Sequence, residues 1–223
     1  MQPQADPFIV PECHEDIQIL YQDDYLLLIS KPSKLLSLSG KHPLNKDSVH
    51  FRLVKEFPTA TMIHRLDFGT SGILVIALNK EVNAQICQQF RERTVQKTYT
   101  ALVYGHLAKE TGSIELPIAK DKENFPLQKI CSETGKAATT HFEVIERLSK
   151  PYATKVFFKP ISGRTHQLRI HSREISHPIL GCDLYATDEA FFMASRLMLH
   201  ATHLEFDHPV SGQKIQGYSH CPF

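Results

Sequence analysis

The sequence lacks most of the features that would place it outside the ordinary globular class. Its longest uninterrupted apolar run is six residues, Ile73 to Leu78, against the roughly 20 that a membrane-spanning helix needs. Cysteine is scarce and odd in number: Cys13, Cys87, Cys131, Cys182 and Cys221, widely spaced and without a C-x-x-C. That pattern argues against both a disulfide framework and a thiolate zinc site. Charge of either sign is not in excess, since 25 Lys and Arg face 24 Asp and Glu for a formal net charge of +1. Binding to a polyanion would therefore depend on where the basic residues cluster. The first residues, MQPQADPFIVPECHED, have no basic start followed by an apolar core, so no secretory signal is expected. There is no low-complexity tract and no repeat of fixed period. A cytoplasmic chain without a membrane segment is the expectation.

What is present reads as one large domain or two small lobes. Residues 1–16, with Pro3, Pro7 and Pro11, read as an extended lead-in, and 17–223 as a single domain. IQILYQDDYLLLISKP (17–32) reads as strand, Asp-Asp turn, strand. KDSVHFRLVKEF has helical spacing at Val49, Leu53, Val54 and Phe57, with Asp47 as its expected N-cap. Two apolar runs that read as strands flank residues 64–72, Thr61 to Ile63 before and Ile73 to Leu78 after. NKEVNAQICQQFRERT predicts a helix with Val82, Ile86, Cys87 and Phe90 on one face and basic residues in its last turn. Residues 97–105, 113–118, 138–147, 153–160, 196–206 and KIQGYS predict strands. GRTHQLRIHSREI predicts a helix with Leu168, His171 and Ile175 aligned and Thr165 as cap. Groups of strands separated by single helices point to an α+β fold with a mixed, largely antiparallel sheet.

HRLDFGTSG (64–72) stands out, because a tight connection between two apolar strands opens with an imidazole, a guanidinium and a carboxylate. GTSG lacks one spacer of the G-x-S-x-G nucleophile elbow, and a strand rather than a helix follows Ser71, so a serine hydrolase is disfavoured. His166 and His171 are five apart. His200 and His203 are three apart in a predicted strand, which turns them to opposite faces. Ordinary polar or core histidines outweigh a metal site there. Asp67 is either a turn cap or a functional acid. GRTHQLRIH (163–171) sets two Arg and two His at a helix start, against the dipole, an arrangement that suits an anion nearby. Asp67 lacks an obvious partner in the sequence and Arg169 an obvious acid, so the two are expected to pair.

HRLDFGTSG resembles the H-R-L-D-x-x-T-S-G signature of the RluA-type pseudouridine synthases, a nine-residue motif with the same order of residue types. The resemblance continues, in family order, through YLLLISKPSKLLS (with Ser30 where family members carry Asn), QKTYTALVYG, GRTHQLRIH and HPILGCDLY. It covers roughly residues 17–218. Larger members carry an N-terminal S4-type module, for which no room is expected here. YQDDYLLLISKPSKLLS, KDSV and ETGKAATTHFEV resemble most the short, dual-specificity members, which act on 23S ribosomal RNA and on tRNA.

The resemblance implies an active-site cleft across the sheet and isomerisation of uridine to pseudouridine in RNA, with no cofactor and no metal. It implies Asp67 as the catalytic carboxylate, with Arg169 as the guanidinium that favours its ionised form. Attack at the anomeric carbon and abstraction of a ribose proton both remain open as its chemistry. Chemistry on a base in a hairpin requires taking that base out of its stack. Arg65 is implied to fill the gap and Tyr99 to pack on the target ring. Leu168 and Ile170 would wall the uracil pocket, with His64 in support. Arg65, Arg91, Arg93, Lys97 and Arg164 are the expected RNA contacts. Lys120, Lys122, Lys129, Lys136, Lys155, Lys159 and Arg173 form further basic runs. The partners expected are hairpin loops of 23S rRNA, the tRNA anticodon stem-loop, or both, bound by a monomer. A synthase specific for a different tRNA or rRNA uridine, and a noncatalytic RNA-binding protein, are the alternatives; intact Asp67, Tyr99 and Arg169 argue against the second.

Overall fold

The structure, a computed structural model, describes residues 9–223. The chain divides into two compact units: residues up to 95 together with 201–220, and residues 96–200 together with 221–223. The lead-in lies partly outside the described residues, and residues 9–16 form neither helix nor strand.

The first unit contains β1 (Gln18–Gln22), β2 (Leu26–Lys31), α1 (Val49–Leu53), β3 (Thr61–Met62), β4 (Ser71–Ala77) and α2 (Lys80–Glu92). Ladders β1–β2, β2–β4 and β3–β4 are antiparallel. Leu26 to Ile29 and Ile73 to Ala77 are all buried, which explains their continuous apolar runs: a strand covered on both faces has no polar side to alternate with. The Asp-Asp turn forms as expected, with Asp23 Oδ1 accepting the N–H groups of Tyr25 and Leu26. α2 is capped by Asn79 and ends at Arg93 in a left-handed conformation (φ 62°). The cap of α1 differs from expectation. Ser48 accepts from Phe51 N–H, while Asp47 turns aside to Arg52 in a two-pronged pair at 2.6 and 2.7 Å. An Arg five residues on offers that carboxylate more than a backbone N–H does.

The second unit holds β5 (Gln96–Tyr104), β6 (Thr111–Glu115), β7 (Ile118–Lys120), β8 (Gln128–Ile130), β9 (Thr139–Leu148), β10 (Ala153–Pro160), α3 (Gln167–Glu174) and α4 (Asp188–Phe192). The order β5-β10-β9-β6 is antiparallel at each step. Its core gathers Ala101, Val103, Val156, Phe158, Leu168, Ile170, Ile179 and Leu199. The predicted strand 113–118 breaks in two, because β7 leaves β6 to make a separate hairpin with β8. Two further strands follow, β11 (Leu199–Asp207) and β12 (Lys214–Tyr218), which pair antiparallel.

α3 does not start as its sequence suggests. Thr165 is not the cap. His166 takes that position with φ 55° and no side-chain cap bond. Gln167 fixes the turn instead: its Oε1 accepts from Ser162 Oγ and Arg164 N–H, and its Nε2 donates to the Thr139 carbonyl and Thr140 Oγ1. A long amide reaches both the acceptors on β9 and the donors at Ser162 and Arg164, which a Thr hydroxyl could not.

Candidate active site

The HRLD loop connects β3 to β4 in the first unit, and segment 31–37 clamps its backbone. The Leu66 carbonyl accepts from Ser37 Oγ at 2.7 Å, and the Leu66 N–H donates to the same oxygen at 3.1 Å. Phe68 O accepts from Lys34 N–H at 2.9 Å and from Lys31 Nζ at 3.3 Å. Gly69 O accepts from Ser33 Oγ at 2.8 Å, and Thr70 N–H closes the turn on Asp67 O at 3.1 Å. Lys31 is wholly buried, and its ammonium also donates to Pro32 O and Leu35 O. These carbonyls offset much of the loss of water around a buried cation.

Gly72 closes the motif for a steric reason. Its φ is 113°, and a Cβ there would lie 2.2 Å from the Ala201 carbonyl oxygen. Only glycine lets β4 begin this close to β11.

Within this frame Asp67 is half-buried and Arg65 exposed. His64 Nε2 accepts from Val75 N–H at 3.2 Å, and the ring packs on Phe90, with centroids 4.7 Å apart. A carboxylate whose own backbone is fixed on both sides has few orientations open to it, an arrangement that would suit a nucleophile or base. Its neighbour, the exposed Arg65, presents a planar guanidinium able to stack and hydrogen-bond at once.

In the second unit Tyr99 sits half-buried on β5, in register with Phe158 on β10 and packed against the core. Arg169 is 5% exposed on α3. The sequence left it without an evident acid, and the structure supplies one: its guanidinium pairs with the Asp183 carboxylate. Its Nε also points to Cys182 Sγ at 3.3 Å, and it lies over the Tyr185 ring at 5.4 Å. Tyr185 is a hub, because its hydroxyl accepts from Gln128 N–H and meets His166 Nδ1, each at 2.8 Å. Asp183 and Tyr185 fall inside HPILGCDLY, so the segment was visible in sequence, but the side chains that matter within it were not.

Leu168 is 6% exposed and Ile170 wholly buried in the second unit's core. His171 is also buried. Its Nε2–H donates to Leu116 O and its Nδ1 accepts from Thr140 Oγ1, each at 3.0 Å. Burial pushes its pKa below the ordinary imidazole value. Among the described residues, no three His, Cys, Asp or Glu side chains gather into a metal-holding group.

Of the expected RNA contacts, Arg91 and Arg93 are exposed at the end of α2, and Lys97 is half-buried on β5. Arg164 Nε reaches the Ala137 carbonyl at 3.2 Å. Some members of the wider basic runs are engaged: Lys159 pairs with Glu143, Arg173 with Glu174, and Lys155 donates to Phe223 O.

Comparison with known proteins shows the family. A family model described as RNA pseudouridylate synthase matches residues 25–174. A Yersinia pestis protein named dual-specificity RNA pseudouridine synthase RluA is 50% identical over 194 residues, 87% of this chain and 94% of that protein. The protein of the same name from Escherichia coli K12 is 47% identical over 197 residues, 88% and 90% of the two chains. Among solved structures, human RNA pseudouridylate synthase domain containing 1 superposes with a TM-score of 0.81 at 30% identity, over 96% of this chain and 86% of that one. Human RNA pseudouridylate synthase domain containing 4 shares the fold, with a TM-score of 0.73 at 22% identity.

Proposed function

We propose, from the premise that this chain belongs to the RNA pseudouridylate synthase family, that it isomerises uridines in hairpin loops of both 23S rRNA and tRNA. The observation that carries this reading is the intact HRLD loop, with Asp67 on a backbone fixed at Leu66, Phe68 and Gly69. The names of the Yersinia and Escherichia relatives, both dual-specificity enzymes, support the wider substrate range.

Asp67 is the proposed catalytic carboxylate. Breaking an N-glycosidic bond and rejoining the ring through carbon needs a carboxylate that can attack the sugar or take a proton from it. Arg65 is the proposed filler of the space left by the extruded base. Tyr99 and Arg169 support the reaction, and Leu168 and Ile170 shape the apolar side of the uracil site. Arg91, Arg93, Lys97 and Arg164 contact the RNA backbone. With a formal net charge of +1, recognition leans on the folded shape of the loop rather than on a general attraction to phosphate. Residues 17–223 act as one catalytic domain, in a monomer working in the cytoplasm. No helix among the described residues is long and apolar enough to cross a membrane.

Tritium release from uridine-labelled transcripts tests the proposal. Release from both a tRNA anticodon stem-loop and a 23S rRNA hairpin supports it. Release from one alone removes dual specificity, and release from neither, with both RNAs bound, favours a noncatalytic RNA-binding protein. Mapping pseudouridines in RNA from cells with and without the gene identifies the sites.

A further inference from the structure

Ser37 touches the HRLD loop twice at one residue. Its Oγ donates to the Leu66 carbonyl at 2.7 Å and accepts from the Leu66 N–H at 3.1 Å. Those two groups lie in different peptide planes. The N–H belongs to the plane joining Arg65 to Leu66, and the carbonyl to the plane joining Leu66 to Asp67. One hydroxyl therefore sets both planes and, between them, the backbone dihedrals of Leu66. Those dihedrals fix the directions in which Arg65 and Asp67 leave the chain relative to one another.

Ser37 is 5% exposed and Leu66 6%, so water has little access to take the hydroxyl's place. The other fasteners act further along. Lys31 and Lys34 hold the Phe68 carbonyl and Ser33 holds the Gly69 carbonyl, all on the C-terminal side of Asp67. Of these fasteners, it is the Ser37 hydroxyl that spans the residue separating the two working side chains.

We propose that Ser37 is a positioning residue for the isomerisation, acting through the Leu66 backbone to hold the carboxylate of Asp67 and the guanidinium of Arg65 in their productive relative orientation. This inference rests on the roles given above to Asp67 and Arg65. It assigns Ser37 no contact with substrate.

The test compares Ser37→Ala, Ser37→Thr, Ser33→Ala and Asp67→Asn in the full chain. Each is assayed for single-turnover rate at saturating RNA, KM, RNA affinity and melting temperature. Displacement of a catalytic group by a fraction of an ångström to one ångström lowers rates by about ten- to a hundredfold. Ser37→Ala should show a loss of that order in the single-turnover rate, with KM and RNA affinity unchanged. Ser37→Thr, which keeps the hydroxyl, should recover most of the rate. Ser33→Ala removes a comparable buried hydroxyl bond beyond Asp67, and its rate loss should be much smaller for a similar fall in melting temperature. If the rate losses of Ser37→Ala and Ser33→Ala both simply follow stability, or if Ser37→Ala turns over at the wild-type rate, Ser37 is only structural and the inference is overturned. Should Ser37→Ala be too unstable to assay, Ser37→Cys, with its weaker donor and acceptor, replaces it under the same expectations. Asp67→Asn separates the two levels. If Asp67→Asn still turns over, the functional reading itself falls; if it is inactive while Ser37→Ala is not, only the Ser37 inference falls.

Discussion

The ammonium of the wholly buried Lys31 lies 3.3 Å from the carbonyl oxygen of the half-buried Phe68. Together with its bonds to Pro32 O and Leu35 O, this contact fastens the end of β2 to the HRLD loop. Lys31→Met keeps the stem and removes the donors. Leaving buried carbonyls unsatisfied costs about 1–3 kcal/mol each, partly offset because a buried cation is no longer desolvated. Thermal unfolding should show a net destabilisation of about 3 kcal/mol. At roughly 2–4 °C per kcal/mol for a chain of this size, melting should fall by about 6–12 °C. An unchanged melting temperature would show that the loop does not depend on this clamp.

Gly72→Ala should be among the most damaging single substitutions. The added methyl would have to overlap the Ala201 carbonyl at 2.2 Å, and the backbone would stay at φ 113°. The left-handed conformation alone costs an L-residue about 1–2 kcal/mol, and the overlap adds to it. The expected outcome is loss of soluble protein, or a melting temperature well below that of Lys31→Met.

The motif was legible in the sequence, whereas its support was not. Asp67 and Arg65 stand out because their residue types are unusual in a tight strand connection. Lys31, Ser33 and Ser37 look like an ordinary run after a strand, and nothing in KPSKLLS says that its hydroxyls and ammonium meet carbonyls some 30 residues further on. The cap errors share that origin. Asp47 and Thr165 satisfy local rules, but Arg52 and Gln167 offer bonds set by the folded arrangement. The strands were found because apolar runs and β-branched residues mark them. The β7–β8 hairpin and α4 were missed because three to five residues leave too little periodicity to see.

Arg52 ties the lead-in to α1. Besides its pair with Asp47, it donates to Glu15 O at 2.6 Å and to Cys13 O at 2.5 Å. Arg52→Lys cannot make four directed bonds from one point charge. Amide exchange at residues 12–16 should quicken in Arg52→Lys and Arg52→Ala alike, with little change in β2 and β4. Protection at 12–16 unaltered in both variants would count against the tie.

His171 makes stability depend on pH. Its folded pKa is lowered by burial, so the unfolded chain binds this proton more readily than the folded one. The contribution is fully present above the unfolded value of about 6.5 and is lost as pH falls below it. Denaturant midpoints should drop between pH 6.5 and 5, and His171→Gln should flatten that part of the profile. A wild-type profile rising toward pH 5 would have the wrong sign.

Arg65→Ala separates base extraction from chemistry. Unstacking a base costs a few kcal/mol in structured RNA and less where the base is already unpaired. The variant should lose most activity on a folded hairpin and far less on a loosened version of the same loop. Equal losses on both would assign Arg65 to the chemical step or to the loop's own fold.

Asp67→Asn, assayed by tritium release on a folded RNA hairpin alongside direct RNA binding, tests the account at its centre. The substitution keeps size and removes the charge. The account predicts that turnover falls by several orders of magnitude while RNA affinity stays within about tenfold, roughly 1.4 kcal/mol. Turnover at a rate comparable to the unaltered chain would contradict it.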